Sequence, residues 1–108
     1  MKSIYLILTL LFLVSFGPKL ETHLCTATWY DTTSHPKVHR EYSTAAFNLY
    51  DKGTKLLVTN SLNGKTDTVV ITDRMHNKTP NRIDLSKKSF GKIANHKQGR
   101  IKVIVKKI

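Results

Sequence analysis

The run Val69-Val70-Ile71-Thr72-Asp73-Arg74 constrains this chain more than any other feature. Consecutive β-branched residues favour an extended, half-buried strand, and this one delivers a carboxylate and a guanidinium to its own end. A polar, turn-prone loop follows from Met75 to Asn81, with Pro80 inside it. A second carboxylate flanked by apolar residues, in Arg82-Ile83-Asp84-Leu85-Ser86, then leads into a helix start. Binding and catalytic groups concentrate where a rigid strand hands over to a loop. Partial desolvation there makes a carboxylate a candidate acid or base.

Short runs separated by turn signals make up the rest. Cys25 to Tyr30, rich in threonine and aromatics, reads as a strand. Asp31 to Glu41, with Pro36, reads as loop, and Tyr42 to Phe47 as another short strand. Leu56 and Val58 alternate with Leu57 and Thr59 across Thr54 to Asn60. The Asn63-Gly64 pair then turns the chain, because it tolerates the positive φ of a tight hairpin, and Thr68 to Asp73 returns. Ser86 is placed to cap a helix running to about Ala94, with Phe90 and Ile93 on one face. After Gly99, Ile101, Val103 and Val105 alternate with Lys102, Ile104 and Lys106 in a final strand. Many short strands and one short helix predict a mainly β domain. A small closed barrel is the simplest form, since closure removes the exposed edges that aggregate.

Met1-Lys2 followed by the apolar run Ile4 to Phe16 has the form of an export signal. The run is shorter than the roughly 20 apolar residues of a comfortable membrane span. Residues 1–20 are therefore expected to be a signal peptide or a retained N-terminal anchor, and residues 25–108 the barrel. Export to the periplasm, cell envelope or medium follows, with membrane contact only through an uncleaved N-terminal segment. Cys25 is the sole cysteine, so no internal disulfide forms, and its distance from the apolar run speaks against lipidation. It reads as an apolar residue opening the first strand. A Cys25–His–Asp protease is open to composition, but nothing places those three residues together.

The formal charge is +11, and without Lys2 and Lys19 sixteen basic against seven acidic residues leave +9. Such a surface favours anionic partners. The basic residues are scattered, and no nucleic-acid-reading element accompanies them, so nucleic acid is not an expected partner. Five histidines raise a metal reading, but Pro36 separates His35 from His39 in a loop and no third ligand has suitable spacing. No metal and no cofactor are expected, and the chain is expected to be a monomer.

Several short segments, taken in order, resemble the rare lipoprotein A (RlpA) family, whose members carry a double-psi β-barrel related to expansins and act on cell-wall glycan. Ala27-Thr28-Trp29-Tyr30 is similar to the family's A-S-W-Y-G, and Thr44-Ala45-Ala46 to T-A-A. Gly53 to Asn60 is similar to G-T-x-V-x-V-T-N, and Asn63-Gly64 to the turn after it. Ile71-Thr72-Asp73-Arg74 is similar to I-N-D-R-G, and Arg82 to Ser86 to R-I-I-D-L-S. The resemblance covers about residues 26 to 105. It implies a six-stranded double-psi barrel with one short helix, where periodicity alone implies only a small β-rich barrel.

The resemblance also implies a function: an endolytic lytic transglycosylase on peptidoglycan glycan strands. That reaction cleaves between N-acetylmuramic acid and N-acetylglucosamine with the sugar's own 6-hydroxyl, leaving 1,6-anhydro ends. One carboxyl can protonate the leaving oxygen and then accept the hydroxyl proton. Asp73 is the expected acid/base, sharing a strand face with Val69 and Ile71; the rival role is to cap the following loop. Glu41 is the only acidic residue that could match the family's upstream glutamate, across a segment shortened to Val38–Ser43; a solvated carboxylate paired with Arg40 or a lysine is its other reading. Trp29 and Tyr30 are candidate sugar platforms, and a strand offers only one of two neighbours to a groove. Arg74, His76 and Asp84 complete the expected glycan-binding set, Asp84 being equally suited to a structural role.

Two other classes stay open. A non-catalytic, expansin-like wall-binding module would keep the groove and lose activity with the shortened segment. A secreted basic effector that damages membranes or inhibits an enzyme rests on charge and size alone, with no amphipathic helix behind it.

Overall fold

Alternation with a period of two lets a strand bury one face and solvate the other, and six strands of this chain do so around one core. The computed structural model describes residues 21–31, 37–76 and 81–108, leaving aside the side chains at 38 and 39. The expected signal segment and the His35–His39 pair fall outside them. The strands are β1 (Thr22–Tyr30), β2 (Thr44–Ala46), β3 (Lys55–Asn60), β4 (Thr66–Asp73), β5 (Arg82–Ser86) and β6 (Ile101–Lys107). Two short helices, α1 (Lys37–Glu41) and α2 (Lys87–Ile93), and a 3-10 turn (His96–Gln98) complete the described elements.

The strands close into a barrel in the order β1-β5-β2-β4-β3-β6, as the family resemblance implies. The β1–β5 and β2–β4 pairs are parallel and the other four antiparallel. Cys25 and Ala27 of β1, Leu56 and Val58 of β3, Val69 and Ile71 of β4, Ile83 and Leu85 of β5, and Val103 and Val105 of β6 all point inward and are buried. Burial pushes the Cys25 thiol up, which leaves it a poor nucleophile and removes the protease reading. Helix α2 contributes Phe90 and Ile93 to the same core. Ser86 caps it as expected, its hydroxyl accepting from the Ser89 N–H and also from the Thr44 N–H.

The structure corrects several boundaries, the start of β4 at Thr66 rather than Thr68 among them. β1 begins at Thr22 because Thr22 to Leu24 pair with Lys106 to Ile104 of β6. β2 is only Thr44–Ala46. The segment 37–41, expected as loop, makes one helical turn closed by an i,i+4 ion pair between Lys37 and Glu41 at 3.3 Å.

Every core residue among those described lies between Cys25 and Val105, so a chain starting at Glu21 is expected to unfold in one cooperative, β-rich transition by circular dichroism. Loss of that transition would mean that residues 1–20 complete the fold. In either chain Phe90→Ala should cost about 3–5 kcal/mol in denaturant unfolding.

Candidate functional site

Strict alternation along β4 would drive Asp73 into the barrel, since Val69 and Ile71 are buried and Asp73 stands next at the same spacing. The pairing with β2 prevents it. Ala45 lies opposite Ile71, yet the next residue, Ala46, lies opposite Asp73, so Thr72 is an extra residue in the ladder. Bulges of this kind re-aim side chains. Asp73 emerges exposed, and the expectation that it shares a face with Val69 and Ile71, partly desolvated, is corrected. Its Oδ1 accepts the Arg74 N–H at 2.8 Å, the loop-capping contact that was its rival role.

The bulge places Asp73 in a row that crosses four neighbouring strands. Thr28 of β1 is opposite Asp84 of β5, Asp84 is opposite Ala46 of β2, and Ala46 is opposite Asp73 of β4. Only the Ala46 methyl group stands between the two aspartates. With strands about 4.8 Å apart, their backbones are separated by roughly 10 Å.

Asp84 has a perturbed carboxyl. Burial pushes it above the ordinary carboxylate range, against the smaller lowering effects of the Thr28 hydrogen bond and the Arg82 charge. Thr28 Oγ1 donates to Asp84 Oδ1 at 2.9 Å, and Arg82 Nη2 reaches Thr28 Oγ1 at 3.5 Å. Tyr30, two residues beyond Thr28 on the same face, pairs its hydroxyl with Thr44 Oγ1 at 2.8 Å. Burial raises the Tyr30 phenol, the Thr44 hydrogen bond lowers it, and the charges of Asp84 and then Asp73 raise it further, with Thr72 lowering it. Both carboxylates therefore act on one phenol. Asp84 is suited to hold a proton to higher pH than an ordinary carboxyl and then to release it, which is what a general acid needs.

The remaining expected residues lie around this cluster or away from it. Trp29 turns to the opposite face of β1: its Nε1 donates to the His96 carbonyl at 3.1 Å, its ring meets the His96 ring edge-on at 5.1 Å, and Lys87 Nζ lies 5.7 Å from its centre. Arg74 pairs with Asp51 at 3.3 Å, both exposed, and His76 is exposed in the loop after Asp73. Glu41 is exposed, and its carboxylate is held by Lys37 rather than brought to the row. Sequence reasoning passed over Thr28, Thr44 and Arg82. The signal for Thr28 was present, because the same alternation that exposes Tyr30 puts Thr28 on its face.

A protein-family model described as "Lytic transglycolase" matches residues 23–105. Among solved structures, the expansin of Clavibacter michiganensis is similar in two forms. A point mutant of it in complex with cellohexaose has a TM-score of 0.65 and the apo form 0.66, each at 22% identity over 82% of this chain and 50% of theirs. The chain thus spans half the length of those expansin chains. A Streptomyces papain inhibitor has a TM-score of 0.65 at 20% identity, covering 82% of this chain and 94% of that one. No curated protein matches the chain. These structural likenesses carry the barrel fold, and the family match spans nearly all of it. The chain belongs to the lytic transglycolase family of double-psi β-barrels.

Proposed function

We propose that this protein is exported and cleaves peptidoglycan glycan strands as an endolytic lytic transglycosylase, between N-acetylmuramic acid and N-acetylglucosamine. The observation that carries this reading is the half-buried Asp84 carboxyl, held by Thr28 and facing exposed Asp73 across Ala46. Asp84 protonates the leaving glycosidic oxygen. The substrate's own 6-hydroxyl then attacks the anomeric carbon, and its proton passes to a carboxylate of the pair. Asp73 faces the developing positive charge on the sugar, and Tyr30 offers a phenol edge and ring beside both acids. Arg74 and His76 stand at the rim as further contacts. Glu41, exposed and paired with Lys37, is assigned no step in this reading.

The second reading is a non-catalytic, expansin-like wall-binding module. The cellohexaose-bound expansin is what favours it, together with the absence of Glu41 from the row. The two readings share one row of residues and differ in product.

Incubation of the protein with peptide-free glycan strands, followed by mass spectrometry, is expected to yield 1,6-anhydro ends. Asp84→Asn should lower that rate by about 10²–10⁴-fold, and Asp73→Asn should also lower it, both variants remaining folded. Binding without anhydro ends in the wild type would establish the module instead.

The Asp84 proton supplies a second check. The folded state holds it more tightly than the unfolded chain does, so native protein binds more protons over the interval between the ordinary and the raised value. Wild-type stability should therefore fall as pH rises through that interval, and Asp84→Asn should remove that part of the dependence. Denaturant unfolding at a series of pH values measures both.

A further inference from the structure

Between Leu85 and Ile108 the chain carries eight lysines and arginines and no aspartate or glutamate, and the barrel brings part of that charge to one face. β1, β6 and β3 are neighbours around the barrel and contain no acidic residue. Cys25, Val103, Val105 and Val58 point inward and are buried, so the alternate positions of these strands face out. The pairing sets those positions in rows. Leu24 lies opposite Ile104, and Ile104 opposite Thr59. On one side of that row Lys106 stands between Thr22 and Leu57. On the other Lys102 lies opposite Thr26 and donates to its hydroxyl at 3.0 Å. Leu24 is 64% and Ile104 40% exposed, two adjacent aliphatic side chains left in water between two lysines. Among the described residues no carboxylate pairs with Lys102 or Lys106. Glu21, the residue before β1, instead accepts from the Tyr50 hydroxyl at 2.8 Å.

An apolar centre flanked by cations suits one kind of surface. A soluble polyanion would engage the lysines and leave Leu24 and Ile104 wet. An anionic bilayer engages both: aliphatic side chains enter the headgroup boundary, while lysine stems lie along it and their ammonium groups reach phosphate. The expected export segment joins the barrel at Glu21, beside Thr22 of this face. The place in the barrel also fits. β6 is three strands from β2 in either direction, so this face and the Asp84–Asp73 row, centred on Ala46 of β2, look to opposite sides.

We propose that the outer face of β1, β6 and β3, with Leu24 and Ile104 at its centre and Lys102 and Lys106 beside them, docks on anionic lipid headgroups. Docked this way, the barrel lies on the membrane with its carboxylate row turned away from the lipid. The contact belongs to the barrel itself and does not depend on what reaction the row performs.

Lysine footprinting of the full chain tests it. The protein is mixed with phosphatidylcholine vesicles, with or without phosphatidylglycerol, and acetylated with a water-soluble reagent; mass spectrometry then reads each lysine separately. Anionic vesicles should slow acetylation of Lys102 and Lys106 by about fivefold, the weight of one lysine at an anionic surface. Lys37 and Lys88, on the β2 side, should react as they do without lipid, and neutral vesicles should protect none of the four. Joint Leu24→Ser and Ile104→Ser changes should remove most of the protection while the cooperative unfolding transition persists. Absence of protection, equal protection by neutral vesicles, or protection spread over Lys37 and Lys88 would each overturn the proposal. Full protection in the double variant would reduce the face to charge alone and overturn lipid entry. Protection by soluble poly(glycerol phosphate) and not by vesicles would assign the face to a wall polymer instead.

Discussion

The register break in β4 is the constraint on which the site depends. A strand of period two cannot bury Ile71 and expose Asp73 unless one residue is left out of the ladder, and Thr72 is that residue. Without the bulge a carboxylate would enter a core lined by Val69 and Ile71, at a desolvation cost that no contact there offsets. A bulge also frees backbone groups that must be paired elsewhere. On the β2 side the Asp73 carbonyl accepts the Phe47 N–H at 3.1 Å, while on the β3 side Ile71 is held at both backbone groups, its carbonyl accepting the Gly53 N–H at 2.7 Å and its N–H donating to the Thr54 carbonyl at 3.0 Å. Gly53 can follow this path because its φ of +93° suits a residue without a Cβ. The backbone of one catalytic candidate is thus held by the first residue after β2.

Burial then divides the two aspartates. Asp84 sits half-buried between β1 and β2, where water is too scarce to solvate its charge fully. Thr28 and Arg82 limit the penalty without cancelling it, so the carboxyl keeps its proton to higher pH. Asp73, turned out by the bulge, keeps water around it. Two carboxyls on one row in unlike surroundings are the arrangement from which separate acid and charge-stabilising roles arise. Tyr30 lies within the electrostatic reach of both, and its own raised phenol keeps it a neutral donor beside them.

The barrel was legible in the sequence because its information is local: alternating runs at 55–60 and 101–106, a serine cap at Ser86, and short segments in family order. The site was half legible. Asp73 and Tyr30 stood out from strand-end position and aromatic placement, and Asp84 was named without a decided role. What could not be read was non-local. The bulge exists only in the pairing of β4 with β2, and the desolvation of Asp84 only in the flanking of β5 by β1 and β2. Strand-face parity correctly separated Trp29 from Tyr30 but could not say that Trp29 would be claimed by His96 and Lys87. The 37–41 turn failed for the opposite reason: five residues are too few for helical periodicity to register against a loop background.

The shortened segment before β2 bears on chemistry as well as on shape. It sets Glu41 at the end of a helical turn, exposed and paired with Lys37, and meets α2 through Lys88 and Lys92. Hydrolysis would ask for a carboxylate poised to activate water on the opposite face of the sugar ring. Attack by the substrate's own 6-hydroxyl makes no such demand, because the nucleophile arrives already attached. A solvent-exposed Glu41 therefore matters less to an intramolecular reaction than to a hydrolytic one. What the intramolecular route does require is a sugar held in a conformation that brings its 6-hydroxyl over the anomeric carbon, and that conformation has to be sustained by contacts distant from the bond being broken. Within the proposed reading, Tyr30, its hydroxyl held by Thr44 beside the half-buried Asp84, is the fixed aromatic from which such contacts extend.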